Sequence, residues 1–326
     1  ATVALSVFGS AAPVTSPGGA GIVVAPRSQQ VVPLAGLVVG ETDPVVHVTA
    51  QGAPIVASMQ TSFTQTLEPV GVDVVTGAAG AAPVQIIPGV VVPQSPAVGS
   101  GPLDVRVLAP DANAMATITA TPVGSTVPTA TATIALVAGV TTKTSMTGLA
   151  PGTYVVRVTS TPAAPSEEVA DSAALATAAP TTPASEAPQV DPSAPVAIVA
   201  SATTATTAPR DTGWFVAAPA LASETPIVGA PGAGRYALII AAGDADATVK
   251  VTGEDGVTSE EHVVPGGGSV TIAYSPGIIW RLASDVPVHA AVAYSGAGTI
   301  AATPIQPSLS GFFPSFRLAQ FAKLAE

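Results

Sequence analysis

No cysteine occurs anywhere in this sequence, which excludes disulfide staples and thiolate metal sites. Compartment stays open, since exported proteins can be disulfide-free. Charged residues are sparse at 10%, too few for a surface built on salt bridges, and their balance of −11 argues against nucleic acid as a partner. No uninterrupted apolar run reaches the roughly 18–20 residues that a helix needs to span a bilayer, and the chain is expected to be soluble. No basic region leads into an apolar one at the start, so a signal peptide is not visible and the chain reads as mature or trimmed. Neither a Gly-x-Ser-x-Gly elbow nor a His-Glu-x-x-His pair appears. Gly266-Gly-Gly268 lacks the Lys-Ser/Thr of a phosphate loop and reads as a turn. Aromatic residues are only 4%, so Trp214, Trp280 and Tyr236 read as core rather than as a sugar-stacking platform.

What is present is Val and Ala in short alternating runs, within a hydrophobic fraction of 48%, punctuated by 31 Gly and 33 Pro. Those punctuating residues fall where turns need them. The organising stretch is Leu149-Ala-Pro-Gly-Thr-Tyr-Val-Val-Arg-Val-Thr-Ser160, continued after an interruption by Ala194-Pro-Val-Ala-Ile-Val199. It reads as turn, strand, turn, strand, which is a hairpin. The same pattern returns at Asp43–Ser58 and at Ser275–Val292, placing His47, Arg157 and Arg281 at one equivalent position and Pro54, Pro195 and Pro287 at another. The period is about 90–100 residues with roughly seven or eight strands, the density of a sandwich or barrel. The expected fold is all-β, about three tandem antiparallel β-sandwich repeats with one face of each hairpin buried, closed by a short C-terminal helix. A β-propeller with two blades per unit is the alternative.

The chain divides into a partial first repeat at 1–66, a second at 67–210, a third at 211–307 and a tail at 308–326. Residues 161–193 are rich in Pro, Ala and Ser with only acidic charges, and read as a disordered insertion or a glycosylated flap. The tail puts Leu318, Phe321, Ala322 and Ala325 on one helical face and holds Phe312, Phe313, Phe316 and Phe321, four of the seven Phe. Such a cluster anchors either on its own domain or on a partner or membrane surface, and these four Phe are the candidate partner-binding residues. His47, His262 and His289 sit in separate strands, and the acidic pairs Asp244-Ala-Asp246 and Glu254-Asp255 read as solvated turn charge. No catalytic, cofactor or metal site emerges.

Gly71-Val-Asp-Val-Val75, Ile87-Pro-Gly89, Leu149-Ala-Pro-Gly-Thr-Tyr154 and Ser284-Asp-Val-Pro-Val288 resemble an uncharacterised family of secreted or membrane-anchored actinobacterial proteins, domain of unknown function 5719. The resemblance implies an envelope location and a setting beside large membrane glycosyltransferases, and it supplies no catalytic residues. The expectation is a non-enzymatic extracytoplasmic scaffold, adhesion or assembly module whose partner is an envelope or membrane protein, a glycosyltransferase among them, with self-association. The alternative is a carbohydrate-binding or carbohydrate-active protein that takes a glycan. Two carboxylates gathered beside Trp214 or Trp280 would favour hydrolysis.

Overall fold

The computed structural model describes residues 1–14, 18–41, 43–65, 68–94, 103–163, 194–206, 211–228, 235–254, 257–275, 277–296 and 299–307. Residues 164–193 and 308–326, which hold most of the insertion, the expected C-terminal helix and the four candidate Phe, lie outside that set. The described residues are nearly all β, with one 3-10 turn at Leu34–Gly36. None of their helices is long and apolar enough to cross a membrane.

The first unit is a sheet of β1 (Thr2–Phe8), β2 (Pro13–Val14), β3 (Ile22–Val23) and β4 (Val45–Gln51), followed by a two-stranded sheet of β5 (Ser58–Gln65) and β6 (Glu68–Thr76). A complete sandwich follows: β7 (Val84–Val92), β8 (Leu103–Leu108), β9 (Ala114–Pro122), β10 (Ala130–Leu136), β11 (Thr141–Met146), β12 (Gly152–Pro162), β13 (Val199–Ala205) and β14 (Thr212–Val216). The second sandwich comprises β15 (Thr225–Val228), β16 (Arg235–Ala242), β17 (Ala247–Gly253), β18 (Ser259–Val264), β19 (Ser269–Ala273), β20 (Ile279–Ser284), β21 (Val288–Ser295) and β22 (Ile300–Pro304).

Sheet orders make the duplication explicit. The first sandwich pairs β10-β9-β12-β7 and β11-β8-β13-β14. The second pairs β18-β17-β20-β15 and β19-β16-β21-β22, the same two sheets displaced by eight strands. The first unit repeats part of this, with β1 and β4 standing where β9 and β12 stand, and β5 and β6 where β13 and β14 stand. Register confirms the alignment: His47 lies opposite Ser6, Arg157 opposite Thr119 and Arg281 opposite Thr252. Each sandwich buries its own core. Ile87, Val105, Ile118, Val156 and Phe215 belong to the first, and Leu238, Val249, Ile272, Trp280 and Leu282 to the second. The sheets pair face to face rather than as radial blades, so the sandwich layout holds and the propeller does not.

The strand pair around each Pro is not a hairpin. β12 joins β7 and β9, whereas β13 joins β8 and β14 in the facing sheet, and β20 and β21 separate in the same way. The chain arches across the core instead. Pro195 and Pro287 lack the N–H that a hairpin ladder needs just beyond its turn, which disfavours the local pairing.

A single buried face also proves too few for β16. The outer face of its sheet is covered by the first sandwich, so Leu238, Ile239, Ile240, Ala241 and Ala242 are all buried. The contacts come from Ile86 on β7 and Val155 on β12, which pack against Ile239, Ala241 and Ala293. The Ile87-Pro-Gly89 motif explains the fit. Register between β7 and β12 shifts at Tyr154/Val156, leaving Pro88 and Gly89 in a bulge, and Gly89 holds a φ of +80°. A Cβ at Gly89 would meet Ala293, Ala302 and Ile239 at 3.5–3.6 Å, ordinary contact. The cost of Gly89→Ala is therefore backbone strain, about 1–2 kcal/mol. Thermal denaturation should show it, and an unchanged melting temperature would refute it.

Candidate functional site

Charged and polar side chains gather where the units meet. At the upper junction, Asp43 lies just before β4 and points onto the outer face of the sheet β11-β8-β13-β14. Arg106 Nε and Nη2 both lie 2.5 Å from Asp43 Oδ1, and Lys143 Nζ lies 3.0 Å from Oδ2. Arg106 Nη1 donates to Thr203 Oγ1 at 2.8 Å, and its guanidinium carbon sits 5.0 Å from the Trp214 ring centre. Burial pushes the Asp43 carboxyl up, but the Lys143 hydrogen bond and the charge and hydrogen bond of Arg106 outweigh it. The group lies below the usual carboxylate range.

Aspartates also stitch the edges of successive units. Asp73 on β6 accepts the Trp214 backbone N–H at 2.7 Å and the Val74 N–H at 2.8 Å. Asp211 accepts the Ile300 N–H at 2.8 Å and the Thr212 N–H at 2.9 Å. Burial raises the Asp73 carboxyl above its ordinary value, opposed by those two N–H donors, with the charge of Asp211 adding to the rise. Two carboxylates thus come together near Trp214, but all four of their oxygens accept backbone donors. That arrangement fixes strands.

The lower junction contains an open crevice of about 240 Å³ lined by Thr119, Thr121, Thr126, Val155, Arg157 and Asp244, among others. Arg157 Nη2 lies 2.5 Å from Asp244 Oδ1. The Arg157 side chain is 21% exposed and that of Asp244 87%, so the pair closes one wall of the crevice from the solvent side. His289 Nδ1 donates to the Ala218 carbonyl at 2.7 Å. Burial lowers the His289 pKa, the Ala218 bond opposes this, and the charge of Arg157 lowers it further. Unfolded histidine takes up a proton near pH 6.5 while the folded one resists it. Stability from this group is complete above that value and falls as pH drops through it. Denaturant titrations should show a loss between about pH 7 and 5 that is smaller in His289→Gln; an identical slope in the variant would exclude His289 as the cause.

The remaining sequence candidates disperse. His47 is exposed on β4, and His262 lies near Glu260 on β18 at 3.1 Å. Asp246 accepts the Gly266 N–H at 2.7 Å, so Gly266-Gly-Gly268 is a turn clasped against the β16–β17 connection. Glu254 and Glu224 pair with Arg281 at 3.3 and 3.0 Å. Among the described residues, no three of His, Asp and Glu gather as a metal site. Trp280 is buried with Tyr274 and donates to the Ser275 carbonyl, while Trp214 lies half-buried beneath Arg106 in the other sandwich. Sequence reasoning missed the Asp43–Arg106–Lys143 group. Its one visible signal was a cation inside the apolar strand Leu103-Asp-Val-Arg-Val-Leu108 of a charge-poor chain.

A model of a family of unknown function (DUF5719) matches residues 1–275. No curated protein and no solved structure matches the chain.

Proposed function

This chain belongs to the family of unknown function DUF5719, and from that premise we propose that it works as a non-enzymatic scaffold of the cell envelope, outside the cytoplasm. One observation supports the reading above the others: both junctions are tied by charge or apolar packing between units, as in the shared cluster of Ile86, Val155, Ile239, Ala241 and Ala293. Units fixed in this way keep surfaces at set separations, which suits an assembly or adhesion module. Polar groups at the junctions are spent on holding strands together. The partner in this proposal is an envelope or membrane protein, with membrane glycan-synthesis enzymes as first candidates, and Phe312, Phe313, Phe316 and Phe321 as its anchors.

The test compares the full chain with one ending at Gly311, using solubilised envelope fractions as prey. The full chain should retain a defined membrane protein that the shortened chain loses, with β-type circular dichroism the same in both. Equal retention would remove the Phe anchors from the proposal. Saturable binding on a glycan array, or release of sugar from envelope polysaccharide, would replace it with the carbohydrate reading.

A further inference from the structure

The internal repeat shows what Arg157 lacks. Its counterpart in the second sandwich, Arg281, stands between two carboxylates: Glu224 Oε1 lies 3.0 Å from Nη1, and Glu254 Oε1 lies 3.3 Å from Nη2. Register carries both positions across to the first sandwich. Glu254 follows Gly253, which pairs with Trp280; the same place is Thr121, which follows Ala120, paired with Val156. Glu224 precedes Thr225, which pairs with Leu282; the same place is Val84, which precedes Gln85, paired with Val158. Thr225 and Gln85 are each 1% exposed, which supports the match. Thr121 and Val84 carry no charge, so neither place supplies Arg157 with a carboxylate.

What Arg157 has instead is the crevice at the lower junction, which it lines together with Thr121. A guanidinium presents five N–H donors. Among the described residues those of Arg157 find one acceptor group, the Asp244 carboxylate lent by the second sandwich. Thr121 is 7% exposed, and its hydroxyl has no hydrogen-bond partner among the described residues. Buried polar groups ordinarily have partners, and here two such groups face one open space. Thr119 and Thr126 add two more hydroxyls to its walls, while Ile86 and Val155 add apolar surface.

We propose that this crevice binds a small hydroxylated monocarboxylate of the sugar-acid class, whose carboxylate takes the place that Glu254 holds in the second sandwich. The planar fork of Arg157 receives it through donors that Asp244 does not use. Thr119, Thr121 and Thr126 meet the ligand hydroxyls. At about 240 Å³ the crevice is smaller than the roughly 300–1,000 Å³ usual for drug-sized ligands, which points to a single small molecule. Phosphate fits less well. Arg157 is the one cation among the described lining residues, and Asp244 already shares it, so a dianion would bring three negative charges to one guanidinium. A monocarboxylate reproduces the arrangement around Arg281 instead. The site is independent of the scaffold reading and of its Phe anchors, and either can fail without the other.

The probe is D-gluconate, titrated calorimetrically into the full chain beside acetate, D-glucose and sulfate. Gluconate should bind saturably and roughly tenfold more tightly than acetate, because only gluconate also engages the threonine hydroxyls. Glucose, which has no carboxylate, should not bind. Thr121→Glu is the decisive variant, since it installs the carboxylate that the second sandwich carries at this place. It should weaken gluconate binding at least tenfold and leave the melting temperature equal or higher. Arg157→Lys should weaken binding by a similar factor because the fork is lost. The proposal is overturned if gluconate does not bind, or if glucose or sulfate binds as tightly. It is equally overturned if Thr121→Glu binds undiminished; should that variant melt lower, undiminished binding by Arg157→Lys overturns it.

Discussion

Asp43→Ala is expected to lower stability by about 3–5 kcal/mol, because it strands the Arg106 guanidinium in a site that excludes water. Arg106 and Asp43 are 8% and 7% exposed, so solvent cannot replace the lost carboxylate without the junction opening. Thr203 and the Trp214 ring remain as partners, but neither is an anion. At about 2–4 °C per kcal/mol for a chain segment of this size, the melting temperature should fall by roughly 6–20 °C. Asp43→Leu combined with Arg106→Met should recover much of the loss, since a buried pair exchanged for packed apolar groups is commonly neutral. Acid should act as the single variant does. The Asp43 carboxyl titrates below its unfolded value, so its contribution is complete above about pH 4 and is lost as pH falls through the folded value. A shift of under about 1 kcal/mol in Asp43→Ala would mean that the pair holds nothing together.

The second large effect concerns the lower junction. Ala293 is buried against Ile86, Val155, Ile239 and Ala241, and it faces away from the core of its own sandwich. Ala293→Arg places a charge there on a residue only 6% exposed, so the longer side chain cannot reach solvent without displacing its neighbours. Keeping it buried would cost several kcal/mol, which the molecule avoids by parting the sandwiches. Expected results are a larger radius of gyration by X-ray scattering and two unfolding transitions in place of one, with each sandwich still β-type. A single transition at the original radius would show that the junction tolerates the charge and that the units are not held by this packing.

Architecture was legible because repetition writes it several times over. Pro54, Pro195 and Pro287, with His47, Arg157 and Arg281 at a second equivalent position, aligned strands whose register matches at those positions. Arches and hairpins carry the same local pattern of strand, turn and strand, so nothing nearby in sequence revealed that β12 and β13 part into opposite sheets. Burial of β16 on both faces was written in Leu238-Ile-Ile240, which does not alternate, and the period-two reading passed over it. The upper junction was hidden for a different reason: Asp43 and Arg106 are 63 positions apart, and nothing in the repeated pattern links them. Charge pairing between units depends on how sandwiches stack, a property of neither unit alone.

The arch has a kinetic consequence. Each sandwich completes its second sheet only when the strand after the arch arrives, β13 in one and β21 in the other. In the second sandwich that strand starts at Val288, just after β20 ends at Ser284; in the first, β13 starts at Val199, long after β12 ends at Pro162. Two structures of one topology therefore face different chain-closure entropies, the longer excursion being disfavoured by roughly 0.6 kcal/mol per doubling. Non-local pairings of this kind set the pace of β-protein folding. The second sandwich should consequently form first and present the finished outer face of β16 as a template on which the first sandwich condenses. Pulse-labelled hydrogen exchange during refolding would then find β16–β21 amides protected ahead of β8–β13, and the reverse order would assign nucleation to the larger loop.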